Sequence, residues 1–237
     1  MSRTFDCKRV VVLPADPDRV WEAISTTEGV TAWQFPSPVP DPGDAGTIWD
    51  PPRHFGVRME QGEWFNALEY VIEGREGGTS VLRYAHSGIF MDDWDNQLDA
   101  VQQHTDFYLH TLGQYLEYFD GMPATYIGDP SAGLQGPARS SEPDGFDRLR
   151  SALGVGREVA VGEVISLPVD LPGPIDGVVD YAAPNFLGIR TSTALYRFFG
   201  RNAFGMPVGM SIHVFDPDAD PGAARAAWEG WLEASLG

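Results

Sequence analysis

The sequence is short of cysteine, of lysine and of long apolar runs. Cys7 is the only cysteine in 237 residues, so no internal disulfide can form. It shares strand parity with Phe5 and Val11, and a buried thiol is expected rather than a reactive one. No apolar run approaches the roughly 18–20 residues that a membrane-spanning helix needs. The opening "MSRTFDCKRVVVLP" has no apolar stretch of signal-peptide length, so a cytoplasmic location is expected. Lys8 is the single lysine; it and the arginines make 16 basic residues against 34 acidic ones, for a net charge of −18. Such a surface repels phosphate backbones and anionic lipid, so neither a nucleic acid nor a membrane is expected as partner. The simplest role for the charge is solubility.

Several chemical signatures are missing too. There is no Gly-rich phosphate loop, no Gly-x-Ser-x-Gly, no His-Glu-x-x-His and no cysteine pair. "DPDADPG" (216–222) opens like a calcium loop. Its sixth position is Pro221 and its twelfth is Ala227, where glycine and glutamate are required. It is read as the start of a helix. The histidines are His54, His86, His104, His110 and His213, and no two have metal-ligand spacing. No metal and no cofactor is therefore expected.

What is present is an order of elements. "TFDCKRVVVL" alternates as a strand. Asp16 can cap a helix that opens at Pro17, and Val20, Trp21 and Ile24 share its apolar face. Gly29 is read as ending that turn, with "VTAW" as a further short helical piece. "FPSPVPDPGD" holds four prolines in ten residues and must be a loop; long loops often act as lids. "GTIWD", "HFGVRME", "WFNALEYVIEG" and "TSVLRYAHSGI" then read as strands, the last two joined by the hairpin turn "REGG". Phe55, Val57 and Met59 share one face; so do Trp64, Leu68, Tyr70 and Ile72, and Leu82, Tyr84 and His86. Glu69, Glu73 and Arg83 take the opposite parity, which argues against a paired-carboxylate site.

The period then changes. Trp94, Leu98, Val101, Thr105, Tyr108, Leu112, Tyr115 and Phe119 form one helical stripe of about seven turns. Asp92 and Asp93 precede it as a cap. Residues 123–145 are rich in Gly, Pro and Ser and read as a linker. "FDRLRSALG" reads as a short helix. "REVAVGEVISLP", "DGVVDYA", "FLGIRT", "ALYRFFG" and "VGMSIHVF" read as strands, and 221–237 as a closing helix with Ala224, Trp228, Trp231, Leu232 and Ser235 in its stripe. The expected domains are 1–122, a linker at 123–145, and a partial second module at 146–237 that lacks the strand–helix–helix opening.

Strand, two short helices, antiparallel strands and one long helix make the helix-grip arrangement. "LPADPDRVWEAISTTEGVTAW", "WDPPRHFGVRM" and "ALEYVIEGREGGTSVLRYAHSG", with the aromatic helix, go further. They resemble the activator-of-Hsp90-ATPase homologue branch of the START-like (SRPBCC, Bet v 1-like) superfamily over residues 5–119. The C-terminal part resembles an appended partial repeat of some bacterial members. The resemblance implies an α+β fold: an antiparallel sheet wrapped around a long helix, with a smaller β-rich module ending in a helix. It also implies a hydrophobic cavity between sheet and helix for a small apolar ligand. Some superfamily members are polyketide cyclases or aromatases. A chaperone-activating role belongs to eukaryotic members with an additional N-terminal domain.

The residues expected around that cavity are Trp33, Phe55, Met59, Trp64, Tyr70, Tyr84, His86, Trp94, His104 and Tyr108, with Trp49 in the same aromatic set. Plain core packing accounts for such a set equally well. His86 and His104 read first as satisfied core histidines, then as polar handles on a ligand, last as acid–base groups. The first functional reading is a non-catalytic binder of a small hydrophobic or aromatic molecule. The alternatives are a cyclase- or hydratase-like enzyme, and a protein-interaction module without an open pocket. A homodimer is left open.

Overall fold

The computed structural model describes residues 3–90, 94–130, 132–167 and 175–237, and of residues 94 and 95 only the backbone. The chain divides into two units, Met1–Met122 and Pro123–Gly237.

Unit 1 runs β1 (Arg3–Leu13), α1 (Pro17–Ser25), α2 (Thr27–Thr31), β2 (Thr47–Asp50), β3 (His54–Gln61), β4 (Trp64–Arg75), β5 (Thr79–Phe90) and α3 (Trp94–Tyr118). The sheet is antiparallel, in the order β1-β5-β4-β3-β2. First and last strands are therefore neighbours, in register from Arg3 opposite Phe90 to Leu13 opposite Ser80. This is the helix-grip arrangement.

Local chemistry sets the opening. The Asp16 carboxylate accepts the Arg19 N–H at 3.1 Å, and Pro17 takes the first helical position. The Thr26 hydroxyl caps α2 by accepting the Gly29 N–H at 2.9 Å. The second helix is thus Thr27–Thr31, earlier than "VTAW", and Gly29 lies inside it. A Cβ on Gly29 would come within 2.2 Å of the Glu22 carbonyl, so the residue lets α2 fold tightly back on α1. Val20, Ala23 and Ile24 are buried. The Ser80 hydroxyl donates to the Ala15 carbonyl at 2.8 Å and ties the strand-to-helix corner to β5.

Two ion pairs hold α3. Arg9 of β1 grips Asp106 with both nitrogens of its fork, Nη2 to Oδ2 at 3.0 Å. Arg19 of α1 grips Asp120, just past the helix end, at 2.8–3.2 Å. The stripe read from the sequence is not uniformly packed. Leu112, Tyr115 and Phe119 are buried, whereas Leu98, Val101 and Tyr108 are only half-buried. Asp92 and Asp93 lie outside the described residues. Cys7 is buried, and Arg83 pairs with Glu73 at 3.0 Å on the exposed face, as parity implied. Among the described residues no helix is long and apolar enough to cross a membrane.

Unit 2 corrects the reading of 123–145 as a linker. That segment carries β6 (Thr125–Ile127), β7 (Leu134–Gln135) and a 3-10 turn (Ala138–Ser141). Then come α4 (Gly145–Ala152), β8 (Val164–Leu167), β9 (Ile175–Ala183), β10 (Phe186–Arg190), β11 (Ala194–Phe199), a 3-10 turn (Arg201–Phe204), β12 (Gly209–Val214) and α5 (Pro221–Leu236). The antiparallel order is β6-β12-β11-β10-β9-β8, and β7 also pairs with β12. First and last strands are again neighbours. A strand, a 3-10 turn and α4 thus precede the remaining strands of the second module, and the first two lie in the segment whose composition suggested a linker. Gly133 shows why composition misled. It adopts φ +67°, and a Cβ there would sit 2.4 Å from the Met210 carbonyl. The glycine serves a close backbone approach, not flexibility.

The core of unit 2 joins Phe146 and Leu149 of α4, Phe198, Met210 and Ile212 of the sheet, and Trp228, Leu232 and Leu236 of α5. "REVAVG" is not strand. Gly162 turns at φ 92°, and Val161 and Val164 are exposed, so the alternation there reports no buried face. Among the described residues one charge pair is buried: Arg197 of β11 donates from Nη1 to both Asp180 oxygens of β9 at 2.9 and 3.0 Å. It spans β10 over Gly188, where a Cβ would lie 2.4 Å from the carboxylate.

Candidate functional site

Where α3 rises off the sheet of unit 1, a cavity of about 480 Å³ remains. Its floor is one face of three strands: Phe55, Val57 and Met59 of β3, Asn66, Leu68 and Tyr70 of β4, and Tyr84 and His86 of β5. Strand parity puts these side chains together, because every second residue faces the same way. The helical wall is Val101, His104, Thr105 and Tyr108, at the i, i+3, i+4, i+7 positions of one helix face. The end wall comes from Ile24 of α1 and Val30 of α2. The proline-rich loop closes over it with Gln34, Phe35, Ser37, Pro38, Val39 and Pro40.

Rings stack along the floor. Phe55 and Tyr70 lie 5.9 Å apart between centroids, and Tyr70 and Tyr84 meet edge-on at 5.2 Å. Phe35 of the loop meets Tyr108 of the helix edge-on at 6.1 Å. Polar atoms on the wall are mostly partnered within the wall. His86 Nε2 donates to Asn66 Oδ1 at 3.1 Å, His104 Nδ1 donates to the Ala100 carbonyl at 2.8 Å, and Tyr84 is hydrogen-bonded to Thr105.

Burial sets the protonation. It lowers the His86 pKa to about 4, because an imidazolium is poorly solvated there. It raises the pKa of Tyr70 and of Tyr84 well above the usual phenol value. Near neutral pH these three groups are uncharged. The surface they offer is aromatic, with hydrogen-bonding tips and no ionic partner.

Of the residues expected around the cavity, the structure gathers Phe55, Met59, Tyr70, Tyr84, His86, His104 and Tyr108. Met59 is 55% exposed and sits at the rim. Three others do not line it. Trp33 is buried elsewhere, and its indole N–H is satisfied by the Ala23 carbonyl at 2.9 Å. Trp64 has the parity of Leu68 and Tyr70 but stands at the far end of β4. Trp49 packs edge-on against Trp21 and Phe55, at 5.2 and 5.6 Å. Trp94 opens α3, but its side chain lies outside the described residues. Sequence reasoning missed Phe35, Val39 and the prolines of the loop. The only signal for them was the length of an irregular segment.

No protein-family model matches the sequence, and no curated protein matches it. Solved structures do. CalU16 from Micromonospora echinospora is 15% identical, over 49% of this chain and 86% of that one, with a TM-score of 0.36. The di-domain ARO/CYC BexL from the BE-7585A biosynthetic pathway is 12% identical, over 98% of each chain, with a TM-score of 0.40. The Aha1 dimer from Colwellia psychrerythraea is 14% identical, over 49% of this chain and 99% of that one, with a TM-score of 0.39. Likenesses this distant say nothing about activity.

Proposed function

We propose that unit 1 binds a small, uncharged, apolar or aromatic molecule in the cavity between α3 and the sheet, without chemistry. The observation that carries this is the lining. A space of about 480 Å³ is within the usual range of ligand pockets, and it is walled by rings and aliphatic groups with few polar tips. The resemblance of residues 5–119 to START-like proteins points the same way. An apolar body would cover Phe55, Leu68 and Val101, and a hydroxyl or carbonyl could reach His86 or Tyr108.

The enzymatic alternative is weaker on physical grounds. A general base works best with a pKa near the working pH. His86, at about 4, is far below it, and its hydrogen-bond partner is an amide, not a carboxylate that would raise it. His86 is unprotonated near neutral pH, but burial leaves it a weak base.

Thermal shift with 2-naphthol as probe tests the binding reading. At a hundredfold excess over Kd, a ligand stabilises the folded state by about 2.7 kcal/mol, enough for a shift of several degrees. Leu68→Trp should fill the floor and remove the shift, and Tyr108→Ala should weaken it. A shift that survives Leu68→Trp unchanged, or no shift from a broad panel of neutral aromatics, refutes the reading and favours an interaction module.

A further inference from the structure

A larger cavity, about 690 Å³, lies within unit 2, among α4, the β9–β10 turn and the 3-10 turn after β11. It is chemically unlike the first. Arg150 and Arg157 line it, with Asp147, Asn202, Phe146 and Val159. Asp147 is already engaged, because both of its oxygens meet Arg157. Arg150 is the unusual group. It is only 4% exposed, and its two hydrogen bonds go to neutral carbonyls, Ala183 and Gly156, each at 3.2 Å. Its Nε has no partner. Burial lowers its pKa, outweighing the opposing pull of the nearby Asp147 carboxylate, which Arg157 already grips. A buried guanidinium whose hydrogen bonds go only to neutral carbonyls, and whose nearby carboxylate is bound by another arginine, still has capacity for an anion.

One acceptor on a lining residue is orphaned as well. The Asn202 amide nitrogen donates to the Glu142 and Pro143 carbonyls at 3.1 Å each, which fixes its orientation. Its Oδ1 is then buried without a partner. Apolar surface comes from Phe146, Val159, Ala182 and Pro184.

We propose that the cavity of unit 2 is a binding site for a small organic acid with an apolar body and a hydroxyl group, and that Arg150 is the partner of its anionic end. Guanidinium and carboxylate match as planar forks. The hydroxyl supplies the hydrogen that Asn202 Oδ1 lacks. The chain carries −18 overall, so a buried arginine hydrogen-bonded only to carbonyls is not explained by bulk charge.

The test is calorimetric titration of the full chain with 6-hydroxy-2-naphthoate, its uncharged amide and inorganic phosphate. The Leu68→Trp background keeps the first cavity out of the measurement, so failure here and failure of the neutral-ligand reading are separable. The acid should bind, the amide should bind at least about tenfold more weakly, on the scale of one charge-assisted hydrogen bond, and Arg150→Gln should reduce acid binding to the level of the amide. Because Arg150→Gln can disturb folding, the Arg150 Nε–H resonance of the unmutated side chain gives a second readout. It should shift on adding the acid and stay in place with the amide. Equal binding of acid and amide, no binding of the acid, or an unmoved resonance overturns the proposal. Phosphate binding as tight as the acid's overturns the ligand class.

Discussion

His86 gives the most quantitative expectation. Its unfolded pKa is about 6.5 and its folded pKa about 4. Between those values the unfolded chain binds a proton that the folded chain refuses. Stability from keeping His86 neutral is therefore complete above about pH 6.5 and is lost as pH falls toward 4. At pH 5 the unfolded imidazole is almost fully protonated and the folded one about one-tenth protonated, so the folded state should be about 2 kcal/mol less stable than at pH 7 on this account alone. The perturbation is His86→Gln, which retains an amide donor for Asn66 and does not titrate. Urea unfolding of both proteins at pH 7 and pH 5 cancels the other acid-sensitive groups. The native protein should lose about 2 kcal/mol more than His86→Gln across that interval. A ring-proton titration should place the native midpoint near 4. Parallel losses in the two proteins, or a midpoint near 6.5, would falsify the buried, neutral imidazole.

Two further perturbations separate packed from unpacked regions. Leu112→Ala in the fully buried half of α3 should destabilise by about 2–5 kcal/mol, whereas Val101→Ala on the cavity wall should change stability by about 1 kcal/mol or less; equal losses by chemical denaturation would mean that α3 is packed alike along its length. Asp180→Ala removes the carboxylate facing buried Arg197 and should destabilise unit 2 by about 3–5 kcal/mol. A change within about 0.5 kcal/mol would mean that Arg197 is solvated in the native protein.

The sequence was legible where one period governed. Alternation placed Phe55, Tyr70, Tyr84 and His86 on one sheet face, and helical spacing placed His104 and Tyr108 opposite them. It was silent where no period existed. Phe35, Pro38, Val39 and Pro40 reach the cavity through a loop whose path depends on tertiary contacts. Parity also cannot say how far along a strand the cavity extends, and this is why Trp64 was grouped with Leu68. Size misled at Trp33, whose indole was already satisfied by a nearby carbonyl. Composition misled at 123–145, where glycines permit close backbone approach to β12 and Ile127 pairs opposite Ile212. Arg150 could not be singled out at all, because one arginine in a short amphipathic helix carries no pattern.

The central claim is that the space between α3 and the sheet of unit 1 holds a neutral apolar ligand. A crystal structure of the full chain grown with 2-naphthol tests it most directly. The account predicts density for the ring system against Phe55, Leu68, Tyr84 and Val101, with the hydroxyl within hydrogen-bonding reach of His86 or Tyr108. Side chains interdigitated across that space with no ligand between them, or 2-naphthol bound only elsewhere, would contradict it.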